Sequence, residues 1–267
     1  MHFIGLKTRF RVRSLWLKYV ERARYRPERP IFFIHIPKTA GTSFRNMLFR
    51  LIDQEVSFPS LQDLGKNDGN YLTFEEVREI LPLEQRKILF LTGHFPFAAG
   101  ELLAAPVEYY VFLRDPIDRT ISNLLHFQRN YPENKDRSLL EVFEKHRGHL
   151  QNLQTRFLSV STLDQMEAFY QPDMISKKHL DLAKANLEKC TFVGLTERFS
   201  DSLLMAEQLL GAKLGSQLKR NVAPISAKQQ LDPLLVEQIQ PYLELDQELY
   251  HFALQLFEKR KLLILNK

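Results

Sequence analysis

The sequence has little cysteine, little glycine and no long apolar run. Its single cysteine, Cys190, excludes an internal disulfide framework and a metal site built from cysteines alone. Ten glycines and thirteen prolines in 267 residues are too few for a low-complexity or disordered class. No stretch approaches the roughly 18 apolar residues of a membrane span, and the N-terminal stretch lacks the apolar core of a signal peptide. A reducing, cytoplasmic location is therefore expected.

Positive charge is concentrated at the N-terminus. The whole chain has a formal net charge of +5, yet residues 1–29 alone hold nine Lys or Arg and two acids. The basic character therefore belongs to this segment, and no nucleic-acid partner is expected for the remainder. We expect a basic helical extension at 1–29 and a single domain at 30–267.

The extension shows apolar residues at helical spacing, namely Val12, Leu15, Trp16, Tyr19 and Ala23. Two interpretations stay open. The helix either docks on the body with its basic face in solvent, or lies on an anionic membrane surface or recruits a polyanionic substrate. The second interpretation makes the protein peripheral at the membrane.

The rest of the chain alternates short apolar runs with helical patterns. Strands are predicted at Ile31–Ile36, Lys87–Leu91, Val107–Leu113 and 191–195. Helices are predicted at Thr42–Ile52, Thr73–Leu81, Pro116–Asn130, over most of 138–210, and at 232–240 and 242–260. This order is typical of an α/β fold, here a P-loop-NTPase-like parallel sheet flanked by helices, with a helix-rich C-terminal half.

The stretch FFIHIPKTAGTSF, residues 32–44, places a lysine, a glycine and three hydroxyl residues between a predicted strand and a predicted helix. The first N–H groups of a helix have no intrahelical acceptor and carry partial positive charge, so an anion binds well there. Lys38 adds a full charge, and Gly41 permits close backbone approach. The sequence therefore predicts an anion site at this loop.

The order of residues in this loop differs from that of nucleoside triphosphatases. Their loop reads G-x-x-x-x-G-K-[ST], whereas here Lys38 precedes Gly41 by three positions. A kinase-like phosphoryl transferase also needs an acidic residue for Mg²⁺, for which Asp115 is the candidate at a strand end. This class stays open as an alternative, as does a non-catalytic polyanion- or membrane-binding protein that acts through residues 1–29.

The segment HIPKTAGTSF resembles the 5′-phosphosulfate loop of sulfotransferases that use 3′-phosphoadenosine 5′-phosphosulfate (PAPS). It is most similar to the heparan sulfate 2-O- and chondroitin-type carbohydrate sulfotransferases. The resemblance implies that the 5′ end of PAPS is wrapped by Lys38, Thr39, Ala40, Gly41, Thr42 and Ser43, with no metal required. Lys38 would also act in catalysis, neutralising charge on the bridging oxygen as the sulfuryl group leaves.

The segment YYVFLRDPIDRTISNLLHF, residues 109–127, is similar to the 3′-phosphate segment of the same family. The resemblance implies that Arg114, after a strand, and Ser122, on the next helix, hold this phosphate, and the planar fork of Arg suits that role. It extends over roughly residues 30–258. By the same resemblance, Arg220 is expected to be a further donor-binding residue, because it lies in the loop that covers the nucleotide in relatives.

A hydroxyl acceptor must lose its proton, and His94 is the predicted base. It follows a predicted strand in FLTGHFPF, so we expect it at the sheet edge where the anion sites lie. A neutral imidazole accepts a proton at neutral pH. Relatives that sulfate uronic acid 2-hydroxyls have HGH here, and Thr92 replaces the first histidine, which leaves the acceptor type open. His126 is the alternative base, and His35 is expected in the core.

The expected function is sulfuryl transfer from PAPS to a hydroxyl of a glycan or glycolipid. Four other polar residues are left with open roles. Gln154 and Arg156 could contact acceptor or donor, or pair internally, whereas Asp115 and Glu197 are carboxylate alternatives to the histidine base.

Overall fold

The structure is a computed structural model that describes residues 25–60, 72–84, 87–104, 106–215 and 233–265. Arg220 and almost all of the predicted helix at 10–25 lie outside these residues. The strands are β1 (Ile31–Ile34), β2 (Ser57–Phe58), β3 (Phe90–Gly93), β4 (Glu108–Leu113) and β5 (Phe192–Leu195). The helices are α1 (Gly41–Leu51), α2 (Phe74–Ile80), α3 (Pro116–Asn130), α4 (Leu139–Leu150), α5 (Leu153–Ser159), α6 (Met166–Tyr170), α7 (Lys177–Lys189), α8 (Phe199–Leu210), α9 (Pro233–Ile239) and α10 (Glu244–Leu265).

The five strands form one parallel sheet in the order β2-β3-β1-β4-β5. In the central strand, Ile31 lies opposite Phe90 on one side and Glu108 on the other. Every residue of β1 is buried, as a strand covered by helices on both faces requires. The sheet and the helix-rich C-terminal half confirm the predicted fold class. The carboxyl ends of β1, β3 and β4 meet at one edge, where the candidate site lies.

The predicted strand at Lys87–Leu91 was wrong in position, because β3 begins at Phe90 and ends at Gly93. Thr92 and Gly93 pair with Phe33 and Ile34 of the central strand, so pairing with β1 extends β3 through polar and small residues. The prediction had followed the apolar run alone. The prediction for β1 was also two residues too long, because it followed the apolar run to Ile36, whereas β1 ends at Ile34.

Two residues assigned to the basic extension contact the body of the protein. Tyr25 forms a parallel bridge with Ile52, and its hydroxyl donates to the carbonyl of Leu210 at 3.0 Å. Arg26 forms an ion pair with Asp53 at 2.8 Å. The boundary between residues 29 and 30 stays a prediction.

A second, smaller apolar core lies away from the sheet and holds α3 in place. Ile121 and Leu124 of α3 pack there with Phe143 of α4 and Ile239 of α9. This packing uses one face of α3. Ser122 lies on a different, partly exposed face of the helix.

Within the part of the chain that the structure describes, no helix has the length and apolarity needed to cross a membrane.

Candidate functional site

The loop after β1 has an unusual backbone. Lys38 and Ala40 have φ values of 69° and 62°, in the left-handed region that non-glycine residues rarely occupy. Each such residue costs roughly 1–3 kcal/mol. Between them Thr39 is fully buried, and its hydroxyl donates to the carbonyl of Ile36 at 2.9 Å. The Thr39 hydroxyl therefore holds the loop in shape.

The N-terminus of α1 has no side-chain cap. Its N-cap residue is Ala40, which lacks a side-chain acceptor, whereas Thr73, Asp115 and Ser138 cap α2, α3 and α4. The Ser43 N–H donates to the Ala40 carbonyl at 3.0 Å, so the N–H groups of Gly41 and Thr42 are the ones at this helix start that have no intrahelical acceptor. The structure thus places the predicted segment 38–43 at a helix start suited to an anion.

Gly41 packs against a histidine. A Cβ added at this position would lie 2.2 Å from Cδ2 of His35, far inside contact distance. Glycine was expected here to let the backbone approach an anion. The structure gives a different requirement, because the His35 ring fills the space that a side chain would need.

The two predicted anion sites meet directly. Arg114 follows β4, and its Nη1 donates to the carbonyl of Lys38 at 3.2 Å. The backbone of Arg114 is bound in turn by the side chain of Gln154. The carboxyl ends of β1 and β4 thus bring together residues that are 76 positions apart in the chain.

Arg129 of α3 adds positive charge near this contact. Burial and the charges of Arg129 and Arg114 lower the pKa of Lys38. Burial and the charges of Lys38 and Arg129 lower the pKa of His126. Ser122, His126 and Arg129 are spaced by four and three positions, so they share one face of α3. A bound anion would relieve the repulsion among these groups.

His94 follows β3, and its ring is fixed by a backbone contact. Its Nδ1 lies 2.6 Å from the carbonyl oxygen of His35, and the two imidazole centroids are 4.5 Å apart. Because a carbonyl oxygen only accepts, Nδ1 must carry the proton, which leaves the lone pair on Nε2. Burial lowers the pKa of His94 to about 4, and the Arg45 charge acts in the same direction. The ring is therefore neutral at pH 7.

His126 has the opposite arrangement. The Asn130 amide nitrogen donates to the His126 carbonyl at 2.8 Å and lies 2.9 Å from Nδ1 of the same residue. Nδ1 therefore accepts, and in the neutral ring Nε2 carries the proton. His126 can thus donate a hydrogen bond through Nε2, which makes it poorly suited to accept a proton there.

The carboxylate alternatives have structural partners. Asp115 caps α3 by accepting from the backbone N–H of Asp118 at 3.0 Å. Glu197 accepts from the N–H of Asp115 at 3.0 Å and from the Tyr250 hydroxyl at 2.7 Å. These bonds favour His94 over either carboxylate as the base.

Gln154 and Arg156 are buried, so of the roles left open for them internal pairing is the one that the structure shows. Arg156 donates to the carbonyl of His149 at 3.0 Å. Gln154 binds the backbone on both sides of Arg114, a contact that the sequence did not indicate. Arg129 was also missed, although its helical spacing from Ser122 could have identified it. Among the described residues, no group of three His, Cys, Asp or Glu side chains is placed to hold a metal ion.

The chain was compared with protein families, curated proteins and solved structures. A sequence model described as "Sulfotransferase family" matches residues 21–253. The search of curated proteins gave no match. Among solved structures, a sulfotransferase from Alicyclobacillus acidocaldarius is similar with a TM-score of 0.48 and 16% identity, covering 87% of this chain and 97% of that chain. This structural likeness is too distant to carry an argument. The family match spans most of the chain, and the protein therefore belongs to the sulfotransferase family.

Proposed function

We propose that this sulfotransferase transfers the sulfuryl group of PAPS to a hydroxyl of a carbohydrate or glycolipid. The observation that carries the proposal is the 3.2 Å contact between the Arg114 guanidinium and the Lys38 carbonyl. It joins a helix-start anion site to an arginine site at one sheet edge. PAPS carries anionic groups at both its 5′ and 3′ positions, so two neighbouring cationic sites fit it.

The residues present fit the donor. The uncapped start of α1 and Lys38 would hold the 5′ end, and Arg114 with Ser122 would hold the 3′-phosphate. The bound donor supplies an activated sulfuryl group. Arg220 remains a proposed donor contact in a segment outside the described residues.

His94 would accept the proton of the acceptor hydroxyl at Nε2. The hydroxyl oxygen then forms a bond to sulfur while the bond from sulfur to the bridging phosphate oxygen breaks. The electron pair of that bond stays on the departing 3′,5′-ADP, where the charge of Lys38 stabilises it. The carbonyl of His35 keeps the His94 ring in the tautomer that this step requires.

The acceptor class is supported by the resemblance of the residue 35–44 segment to that of carbohydrate sulfotransferases. Thr92 stands where uronic acid 2-O-sulfotransferases have a histidine. We therefore leave the sulfated position unassigned within the class of glycan and glycolipid hydroxyls.

The donor proposal is tested by the thermal shift of the protein with 3′,5′-ADP, 5′-ADP, or ATP with Mg²⁺. A ligand at 100 times its Kd stabilises the folded state by about 2.7 kcal/mol. We expect a large shift with 3′,5′-ADP alone, and a strongly reduced shift in Arg114→Ala. Arg78→Ala, at an exposed arginine of α2, serves as the control and should keep the wild-type shift.

An equal shift with 5′-ADP would contradict the 3′-phosphate site. A larger shift with ATP and Mg²⁺ would instead favour a phosphoryl transferase.

A further inference from the structure

Arg114 is bound through its backbone by one buried side chain. The Arg114 N–H donates to Oε1 of Gln154 at 3.0 Å, and Nε2 of Gln154 donates to the Arg114 carbonyl at 2.8 Å. The Gln154 side chain is 1% exposed. A single amide thus binds both polar backbone groups of the residue that follows β4, in the manner of a neighbouring strand.

The position of Gln154 is itself fixed by α10. The fully buried carboxylate of Asp246 accepts from the backbone N–H of Gln154 at 3.1 Å and from that of Thr155 at 2.7 Å. In return, the side chain of Asn152 accepts from the N–H groups of Leu245 and Asp246 at 3.1 and 3.2 Å. The starts of α5 and α10 therefore cap each other.

Two buried arginines hold the chain just before α5. Arg119 donates to the carbonyl of Leu150 at 2.8 Å, and Arg156 donates to that of His149 at 3.0 Å. The charge of Asp246 opposes the effect of burial on the pKa of both arginines, which places it near them. The backbone around Gln154 is therefore bound both by Asp246 and by these two arginines.

Because its backbone is fixed by Gln154, Arg114 can direct its guanidinium across the sheet edge to the Lys38 loop. Resting on the proposed function, we infer that Gln154 is a positioning residue for the 3′-phosphate site. Gln154 fixes the backbone position of Arg114. From that position the Arg114 guanidinium can bind the phosphate and also contact the Lys38 carbonyl. Gln154 does not itself touch the donor.

The test is Gln154→Met, which removes both hydrogen bonds at similar volume. Its readout is the ratio of the affinities for 3′,5′-ADP and 5′-ADP, measured by calorimetry. A purely structural role would lower stability and leave this ratio unchanged. We expect the ratio to fall at least about tenfold, equivalent to roughly 1.4 kcal/mol.

The matched control is Thr155→Val on the same buried turn. It removes the 2.8 Å bond from the Thr155 hydroxyl to Asp246 but leaves Arg114 untouched. This variant should lose stability and keep the wild-type ratio. Gln154→Glu, which keeps an acceptor for the Arg114 N–H but sets a carboxylate against its carbonyl, should also lower the ratio.

A wild-type ratio in either Gln154 variant would overturn the inference, as would an equal loss in Thr155→Val. Failure of the proposed function gives a different result. In that case the wild-type protein itself shows no preference for 3′,5′-ADP, whereas failure of the inference leaves a wild-type preference that Arg114→Ala removes and Gln154→Met does not.

Discussion

Two histidines near the sheet edge differ in the ring nitrogen that their neighbours bind. Nδ1–H of His94 donates to the His35 carbonyl, whereas Nδ1 of His126 accepts from the Asn130 amide. In these tautomers Nε2 of His94 has the lone pair that can accept a proton, whereas Nε2 of His126 has the proton that can be donated. The hydrogen bonds, more than position alone, separate the two candidates for the base.

The activity of the free enzyme should lack an acid limb near pH 6.5. A base with a pKa of about 4 stays neutral throughout the range from pH 8 to 5, so kcat/KM should not fall there through protonation of His94. In His94→Gln, turnover should fall about 10²- to 10⁴-fold, while 3′,5′-ADP binding is retained. Steady-state kinetics across this pH range and calorimetry measure the two effects.

His126→Gln is the matched control, and its turnover should remain far above that of His94→Gln. Persistent turnover in the His94 variant, or an acid limb between pH 6.5 and 5 that His126→Gln removes, would transfer the base role to His126.

Lys38, Arg114 and His94 could be proposed from the sequence because each lies in a short motif beside a strand end. The left-handed backbone of Lys38 and Ala40 was not identifiable, since neither residue is glycine. The contact of Gln154 with Arg114 spans 40 positions, and sequence spacing carries no information about such a pair.

At the scale of the elements, the start of α5 depends on a charge from α10. Asp246 is fully buried, and it accepts from the N–H groups of two α5 residues and from a hydroxyl. Breaking such a buried set by removing one charge typically costs about 3–5 kcal/mol. The helix start is therefore a weak point for substitution because of its buried charge, in addition to the packing of Leu153 in the main apolar core.

Asp246→Asn should lower the free energy of unfolding by an amount in this range, because the new amide would set its N–H groups against backbone donors or arginines. Urea unfolding measures the change. Asp201→Asn, which alters a partly exposed ion pair with Lys261, is the control and should have a much smaller effect. Similar losses in both variants would show that the buried hydrogen bonds of Asp246 stabilise the fold no more than a partly exposed ion pair does.

Helices were predicted more accurately than strands. Pro116 and the Asp115 cap set the start of α3 locally, and the predicted range Pro116–Asn130 is confirmed. By contrast, β3 extends through Thr92 and Gly93 because these residues pair with Phe33 and Ile34 of β1. The two-residue strand β2 was missed, since its pairing with β3 is the only feature that defines it.

For the whole molecule, the fold class followed from the alternation of apolar runs and helices. The order of the strands did not, because it depends on which strands pair across long separations. The proximity of the two proposed anion sites became visible only with β1 and β4 as neighbours.

Folding stability should decrease as the pH falls from about 6.5 toward 5. Burial lowers the pKa of both His35 and His94 below the value of 6.5 that histidine has in an unfolded chain. In this range the unfolded state binds more protons than the folded state, so stability rises with pH. At roughly 1.4 kcal/mol for each pKa unit, His94 alone accounts for about 3 kcal/mol by pH 4.

His94→Gln should therefore flatten the dependence of the free energy of unfolding on pH between 7 and 5, as measured by urea unfolding. His251→Gln, at an exposed position of α10, should leave it unchanged. The same slope in wild type and His94→Gln would show that His94 is not the residue responsible.

The left-handed residues on either side of Thr39 have a consequence for ligand affinity. The strain at Lys38 and Ala40 is compensated when the domain folds, so the loop already has its shape before any anion arrives. A ligand then binds without the entropy loss of ordering that loop. Under the proposed function, the affinity for the donor would therefore depend in part on the folding free energy of the domain. Substitutions that relax the loop would weaken donor binding and stabilise the ligand-free protein.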